Sequence, residues 1–464
     1  MTLIDDWAIK MRIRKIEIKR LFHLFDHEVP LNLEERITII HGPNGLGKTA
    51  LLRLINAFFN QRWSELLEIP FESFSLDLDD GSNVRILTAS RKQKESTKEK
   101  GLAFAYSSKA GVQEEYFFIP ERADDANPKV RHLAFDLSSQ IAGLEVVRVN
   151  ERTLLRYMPS GELLTVNEVL ARFRDYLPPY FAEFQADSLP PWLRTMTASL
   201  NVHFIQAQRL VSIREKKPIH SPGELRVTPS VQVYSREITR ALKDTLTEYG
   251  ELSQSLDRTF PERLMRQNRK KNLSIDELKK RLAALEQKRR ALESTGLLEE
   301  EQGGRFEMPE TIDPTTQNTL SVYVQDNERK LGVFDAIAAK IDLLRQTVDH
   351  HFLYKTMIIN KESGFLFAAK SGRPLSPTNL SSGEQNQLVL LYELLFKVKS
   401  NSLILIDEPE ISFHVAWQLQ FLKDLQQIIR LSEFDVLIAT HSPQVINDRW
   451  DLTVELNGPA ENDQ

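Results

Sequence analysis

The stretch Gly42-Pro-Asn-Gly-Leu-Gly-Lys-Thr49 decides how the rest of the chain is read. Gly42, Gly45 and Gly47 permit backbone turns closed to other residues, so successive N–H groups and a helix N-terminus can aim at phosphate oxygens. In such a loop Lys48 reaches the β- and γ-phosphates and the Thr49 hydroxyl is a ligand for Mg²⁺. The flanks agree. Ile37-Thr-Ile-Ile40 is a short apolar run of the kind found in a buried strand, and Ala50 to Phe59 is apolar on most faces, as a helix beneath a sheet is. Strand, glycine loop and helix in that order separate a phosphate-binding loop from an ordinary Gly-rich turn. The nucleotide-binding set is therefore Gly42, Pro43, Asn44, Gly45, Leu46, Gly47, Lys48, Thr49 and Ala50.

Three stretches near the C-terminus complete the pattern. Ser402-Leu-Ile-Leu-Ile-Asp407 reads as a buried parallel strand ending in an acid, with Asp407 placed to bind Mg²⁺ and Glu408 to take a proton from an attacking water. Leu380-Ser-Ser-Gly-Glu384 is a Ser/Gly turn before the helix-like run Leu388 to Phe396. Val436 to Pro443 is one more strand, ending at His441. Alone, Asp-Glu at a strand end is a surface cap and a single His is structural. In this order they acquire a common purpose.

Composition sets bounds. A chain of 464 residues, 41% hydrophobic and 27% charged, is ample for a large core and for two or three domains. A net charge of −5 does not mark a nucleic-acid-binding surface. With no cysteine there is no disulfide, thiolate metal site or Cys nucleophile. Met1 to Lys10 lacks an apolar signal core, and no apolar run approaches the roughly 20 residues that span a bilayer. A cytoplasmic protein with no membrane attachment is expected.

Between the motifs, Ser73 to Leu78 and Val84 to Leu87 around Asp80-Gly81 predict a hairpin, and the charged cluster Arg91 to Lys100 a solvated loop. Asn167 to Tyr176 reads as helical. Ser235 to Phe352 is mostly helical: Ser274 to Glu277 is a capping box opening a stripe of Leu278, Leu282, Leu285 and Leu292, and a second run carries Val324, Leu331, Phe334, Ala338, Ile341, Leu344 and Val348. Two helices joined by a Gly/Pro-rich connector predict a short antiparallel helical hairpin. Its basic cluster, including Arg263, Arg266, Arg269, Lys270, Lys271, Arg281, Lys288 and Arg290, reads first as a solvated face paired with interleaved acids, and second as a site for nucleic acid or an acidic partner. Lys355 to Lys370 is a further hairpin turning at Glu362-Ser-Gly364.

The order of these motifs resembles the ATP-binding-cassette ATPases, the superfamily that includes RecF, SMC and overcoming-lysogenization-defect proteins. The resemblance implies an α/β fold: an ABC-type P-loop head with a mixed sheet and an antiparallel β lobe, interrupted by the helical hairpin or short coiled coil. Its expected parts are residues 1–234, the N-terminal half of the head; 235–352, the insertion; and 353–464, the C-terminal half. It further implies that ATP and Mg²⁺ are bound, that Ser381, Ser382, Gly383 and Glu384 form a signature turn contacting the γ-phosphate of ATP on another protomer, and that His441 is the switch histidine. A glutamine at a strand end would meet Mg²⁺ and the attacking water; Gln208 is the candidate, with Gln206 second. Pro409 to His414 occupies the place of a segment that crosses the dimer interface.

Ile406-Asp-Glu-Pro-Glu-Ile411 and Ala439-Thr-His-Ser-Pro443 look like the ATPases of bacterial antiphage defence. Gln208-Arg-Leu210 with Ser253 to Pro261 most resembles the ATPase subunit of the PARIS system, with the Septu ATPase next. That resemblance implies a homo-oligomer, at least a dimer and up to a hexamer. It implies a separate nuclease effector, Toprim-like in the first case or HNH in the second, and a phage trigger of the anti-restriction, DNA-mimic type. Only 23 residues follow His441, so no fused nuclease is expected. The alternative is a RecF-like DNA-repair ATPase.

Overall fold

The structure is a computed structural model that describes residues 11–92, 98–118, 128–141, 143–149, 152–158, 162–164, 166, 169, 189–207, 209, 211–213, 227–266, 273–294, 296–298, 312–411 and 413–458. Its contacts divide the chain into two compact units, Met1–Thr228 with Lys397–Gln464, and Pro229–Phe396. The division differs from the sequence expectation at its second boundary. Residues 353 to 396, the turn Ser381 to Glu384 included, belong to the same unit as the helices.

The first unit is built on a five-stranded parallel sheet in the order Asn201–Ile205, Ser402–Asp407, Asp435–Ala439, Ile37–His41, Thr453–Glu455. Every residue of Ser402–Asp407 is buried, which is why this strand reads as an unbroken apolar run. Parallel pairing brings the C-terminal ends of neighbouring strands to one edge, where ligands bind in open α/β sheets. Three stretches far apart in sequence, after His41, Asp407 and Ala439, thus become neighbours. The Arg12 guanidinium holds the start of Asp435–Ala439 through two bonds to Asp435, at 2.7 and 2.6 Å.

A six-stranded antiparallel sheet forms the lobe, with Ile13–Leu21 between Phe25–Pro30 and Ser73–Leu78, followed by Asn83–Lys92, Lys98–Ser107 and Gln113–Phe118. The helix Lys48–Phe59 lies in one core with residues of both sheets: Leu51, Leu54 and Phe58 share it with Ile16, Phe74 and Phe104 and with Leu403, Leu405 and Leu437. Ten of its positions are buried, so it shows no polar face in sequence. The expected hairpin is present, pairing Ser73 with Leu87 and Leu76 with Val84. The charged cluster after it does not form a loop throughout: Arg91 pairs with Glu99 and Lys92 with Lys98, because the ladder continues past the last apolar residue and overrides weak strand propensity. A smaller sheet of Leu144–Val149, Arg152–Tyr157 and Glu162–Leu164 packs on Pro128–Gln140 around Leu137 and Leu155. The helix expected over 167–176 falls almost wholly outside the described residues.

Among its described residues the second unit contains four long helices where two were expected: Ser230–Arg266, Ile275–Ser294, Pro314–Gly332 and Asp335–His351. The first escapes the heptad pattern because Leu242 and Leu256 are its last buried apolar positions and stand far apart. The second expected run breaks after Gly332, yet Val324, Leu331, Phe334, Ile341, Leu344 and Val348 are all buried, so a common apolar spacing conceals the break. Pro314–Gly332 packs against both Ser230–Arg266 and Ile275–Ser294. The expected hairpin turning at Glu362-Ser-Gly364 is observed, Lys355–Asn360 pairing with Gly364–Ala369.

Most described members of the basic cluster are matched by acids. Arg263 pairs with Asp326, Arg266 with Glu262 at 2.7 Å, Arg281 with Glu277 at 2.8 Å, Lys288 with Asp335 at 2.5 Å and Arg290 with Glu286 at 2.9 Å. That is the pattern of a solvated, internally paired face and does not favour the DNA-repair alternative. Arg269, Lys270 and Lys271 lie outside the described residues.

Candidate active site

The site grows from the end of Ile37–His41. Gly42 has φ +145° and passes so close to Leu456 that a Cβ would stand 2.8 Å from its carbonyl oxygen. Gly47, at φ +87°, ends the loop and caps Lys48–Phe59; a Cβ there would lie 2.4 Å from Leu21 Cδ2. Both positions require a left-handed backbone and lack room for a side chain. His27 supports the loop from below, its Nε2 2.7 Å from the Leu46 carbonyl oxygen.

Lys48 is buried, and its ammonium donates to the carbonyl oxygens of Gly42 at 2.7 Å and Pro43 at 3.0 Å. Burial lowers its pKa, opposed by the charges of Glu408, Asp407 and Glu410. Thr49 donates its hydroxyl to both carboxylate oxygens of Asp407, at 3.1 and 3.0 Å. Burial raises the Asp407 pKa and the Thr49 bond opposes that rise. The structure thus joins residues 358 positions apart into one oxygen-rich pair. A hydroxyl and a carboxylate are hard donors suited to Mg²⁺, which commonly takes one or two protein ligands and completes its shell with water and phosphate oxygens.

Glu408 sits at the strand end with φ +44°, and its N–H donates to the Ala439 carbonyl oxygen at 2.8 Å. This left-handed turn lifts its side chain from the strand. His441 Nδ1 lies 3.6 Å from Glu408 Oε1 and 3.3 Å from Glu410 Oε1. Beside this group a cavity of about 400 Å³ is lined by Gly42, Pro43, Asn44, His441 and Trp450, among others, with the Trp450 ring edge-on to His41 at 5.5 Å. Lys48, Thr49, Asp407, Glu408 and His441 therefore share the loop ends of one sheet.

Gln208 lies outside the described residues, and Gln206 is exposed at the end of Asn201–Ile205. The residue between them in importance is one that motif reading overlooked. Arg209 is buried, donates to the Pro409 carbonyl oxygen at 3.1 Å and stands 5.6 Å over the Phe413 ring. It ties this strand end to the segment that follows Asp407 and Glu408. Glu410 takes no role from the motif order, although the run Asp407-Glu408-Pro409-Glu410 places three acids in four residues.

In the second unit, Ser381 caps the helix Ser382–Tyr392. Its hydroxyl accepts from the Glu384 N–H at 3.3 Å, while Glu384 Oε2 accepts from the Ser381 N–H at 2.8 Å. Lys355 adds an ion pair to Glu384 at 2.5 Å. Burial pushes the Glu384 pKa up, but Lys355 and Ser381 outweigh it and the net shift is downward. Glu384 is therefore committed to shaping the turn, while Ser381 and Ser382 are both exposed at the helix start. Tyr392, at the other end, stacks on Tyr234 at 4.6 Å and on Phe396 at 4.9 Å.

The family model described as an AAA domain, putative AbiEii toxin, type IV TA system, matches residues 230–447, a span that holds the Ser381 to Glu384 turn, Asp407, Glu408 and His441. The match covers just under half of the chain, and the fold is that of an α/β P-loop NTPase. No match is found among curated proteins. Among solved structures, the chain resembles the SMC head domain of Pyrococcus furiosus bound to the C-terminal domain of ScpA, at 12% identity over 94% of this chain and 91% of that one, with a TM-score of 0.31. It also resembles the SMC head from Thermotoga maritima, at 11% identity over 94% and 91%, with a TM-score of 0.30. At such scores the fold assignment rests on strand order and loop geometry. Among the described residues no helix is long and apolar enough to cross a membrane.

Proposed function

We propose that this ATPase binds and hydrolyses Mg-ATP in a site closed by a second copy, and that it serves as the sensor and scaffold of an antiphage defence complex holding a separate nuclease. The observation that carries the hydrolytic reading is the meeting of Lys48, the Thr49–Asp407 pair, Glu408 and His441 at one sheet edge. Lys48 and the loop N–H groups hold the phosphates, and Thr49 and Asp407 hold Mg²⁺. An ion held by Thr49 and Asp407 would supply charge neutralisation to the phosphates. Glu408 takes the proton of the attacking water, and His441 faces the γ-phosphate from the neighbouring loop. Ser382 and Gly383 close the site from another protomer.

The defence role is supported by the resemblance of the Asp407 to Ile411 and Ala439 to Pro443 segments to antiphage ATPases. The toxin and toxin–antitoxin system named in the family description support it too. Such an ATPase needs a separate effector, Toprim-like or HNH, released when a phage anti-restriction protein is sensed. The test is Glu408→Gln. It is expected to bind ATP, to stop turnover and to accumulate as a closed oligomer by size-exclusion chromatography, with signalling blocked during phage challenge. Wild-type turnover in that variant would refute the assignment of Glu408.

A further inference from the structure

Glu410 stands outside the motif roles given above, yet its contacts are those of a built device. It is 7% exposed, and its Oε1 is a single point on which three groups of one loop converge. The Thr440 hydroxyl donates to it at 2.6 Å, the His441 N–H at 3.1 Å, and His441 Nδ1 lies 3.3 Å away. Thr440 is itself fully buried, and its hydroxyl accepts from the Ser442 N–H at 3.0 Å. The loop Thr440-His441-Ser442 is thus hung from one carboxylate oxygen. The other oxygen, Oε2, is buried without a hydrogen-bond partner among the described residues. A carboxylate left half-satisfied in the interior is a net cost to the fold, so stability alone is a poor reason for its presence.

The geometry has a directional consequence. With Glu408 Oε1 and Glu410 Oε1 both on the Nδ1 side, the imidazole turns its Nε2, on the opposite side of the ring, away from the two carboxylates. His441 lines the cavity beside Gly42, Pro43 and Asn44 and is 48% exposed. We propose that Glu410 is a positioning residue for ATP hydrolysis. It fixes the loop and ring orientation of His441 so that Nε2 is the atom offered to the terminal phosphate, and it acts only through that histidine. Fixing one ring nitrogen to define the work of the other is a general use of a carboxylate behind an imidazole. The inference rests on the ATP-hydrolysis reading above and assigns one further residue to that site.

A double-mutant cycle on the full chain tests it, with kcat and KM for ATP measured for Glu410→Ala, His441→Ala and the pair. Glu410→Ala is expected to lower kcat by about 10- to 100-fold with KM changed far less, the scale found when a residue orienting a ligating imidazole is lost. Glu410→Gln, whose amide oxygen can still accept from Thr440 and from the His441 N–H, should recover most of that loss. In the His441→Ala background, Glu410→Ala should lower kcat no further. If Glu410→Ala fails to fold, Thr440→Val, which removes the 2.6 Å bond to Glu410 together with the bond accepted from the Ser442 N–H, carries the same cycle with a smaller first effect. Independent, multiplicative losses in the double variant, or wild-type kcat in Glu410→Ala, would overturn the proposal. Lys48→Ala separates the two readings. If it leaves turnover intact, the ATP site is wrongly assigned; if it abolishes turnover while the cycle is additive, only the role of Glu410 falls.

Discussion

Replacing Thr49 by valine removes a hydroxyl while preserving shape, branching and helix propensity, so its effect isolates the link between the phosphate loop and Asp407. In the ligand-free protein that hydroxyl donates to both oxygens of a buried carboxylate, at 3.1 and 3.0 Å. A hydrogen bond to a charged group contributes about 1.5–3 kcal/mol, and valine would leave Asp407 without this donor. The ligand-free protein should therefore lose about 1–3 kcal/mol in the first unit, seen as a drop of several degrees in the melting transition that reports it. A second loss appears only with nucleotide. ATP affinity measured by fluorescence titration with Mg²⁺ and with a chelator should differ in the wild type, and Thr49→Val should shrink that difference, whereas Thr49→Ser should keep it. A melting midpoint within about 1 °C of wild type, together with an unchanged Mg²⁺ dependence, would show that the pair neither stabilises the site nor serves the metal.

Two further outcomes concern stability. Burial pushes the Asp424 carboxyl up to about 7, so between pH 4 and 7 the unfolded chain is ionised at this position while the folded chain keeps its proton. Ionisation then opposes folding increasingly across that window and fully above it. Asp424→Asn should be more stable than wild type at pH 8, with the advantage fading toward pH 4 in denaturant titrations; a pH-independent difference would reject the shift. Gly364→Ala would place a Cβ 2.1 Å from the Ser235 carbonyl oxygen at φ +69°, at the point where Ser235 Oγ accepts from the Phe365 N–H at 2.9 Å. Left-handed strain of about 1–2 kcal/mol plus overpacking of about 1–3 kcal/mol should make the second unit markedly more sensitive to proteolysis, and unchanged resistance would contradict that packing.

Several features were legible in the sequence because they are local. The glycine spacing of the phosphate loop, the apolar run ending at Asp407, the hairpin at Asp80-Gly81 and the Ser/Gly turn before the helix Ser382–Tyr392 each state a backbone conformation within a few residues. Helix count was less legible. The break after Gly332 interrupts hydrogen bonding without interrupting the spacing of buried residues, and Ser230–Arg266 buries too few apolar side chains to announce itself. Arg91 and Lys92 were read as loop because charge masks a strand whose pairing is supplied by its neighbour.

The sequence alone determined that a phosphate loop, an acid-tipped strand and a histidine-tipped strand exist, since each is a local pattern of turn-permitting and apolar residues. Tertiary structure alone decided what those parts are to each other. Parallel pairing set Ser402–Asp407 and Ile37–His41 on either side of Asp435–Ala439, and only then did Thr49 meet Asp407 and His441 meet Glu408 and Glu410. The reason is physical: hydrogen-bond partners across a sheet are chosen by register and strand order, and neither is written in the residues that make the bond.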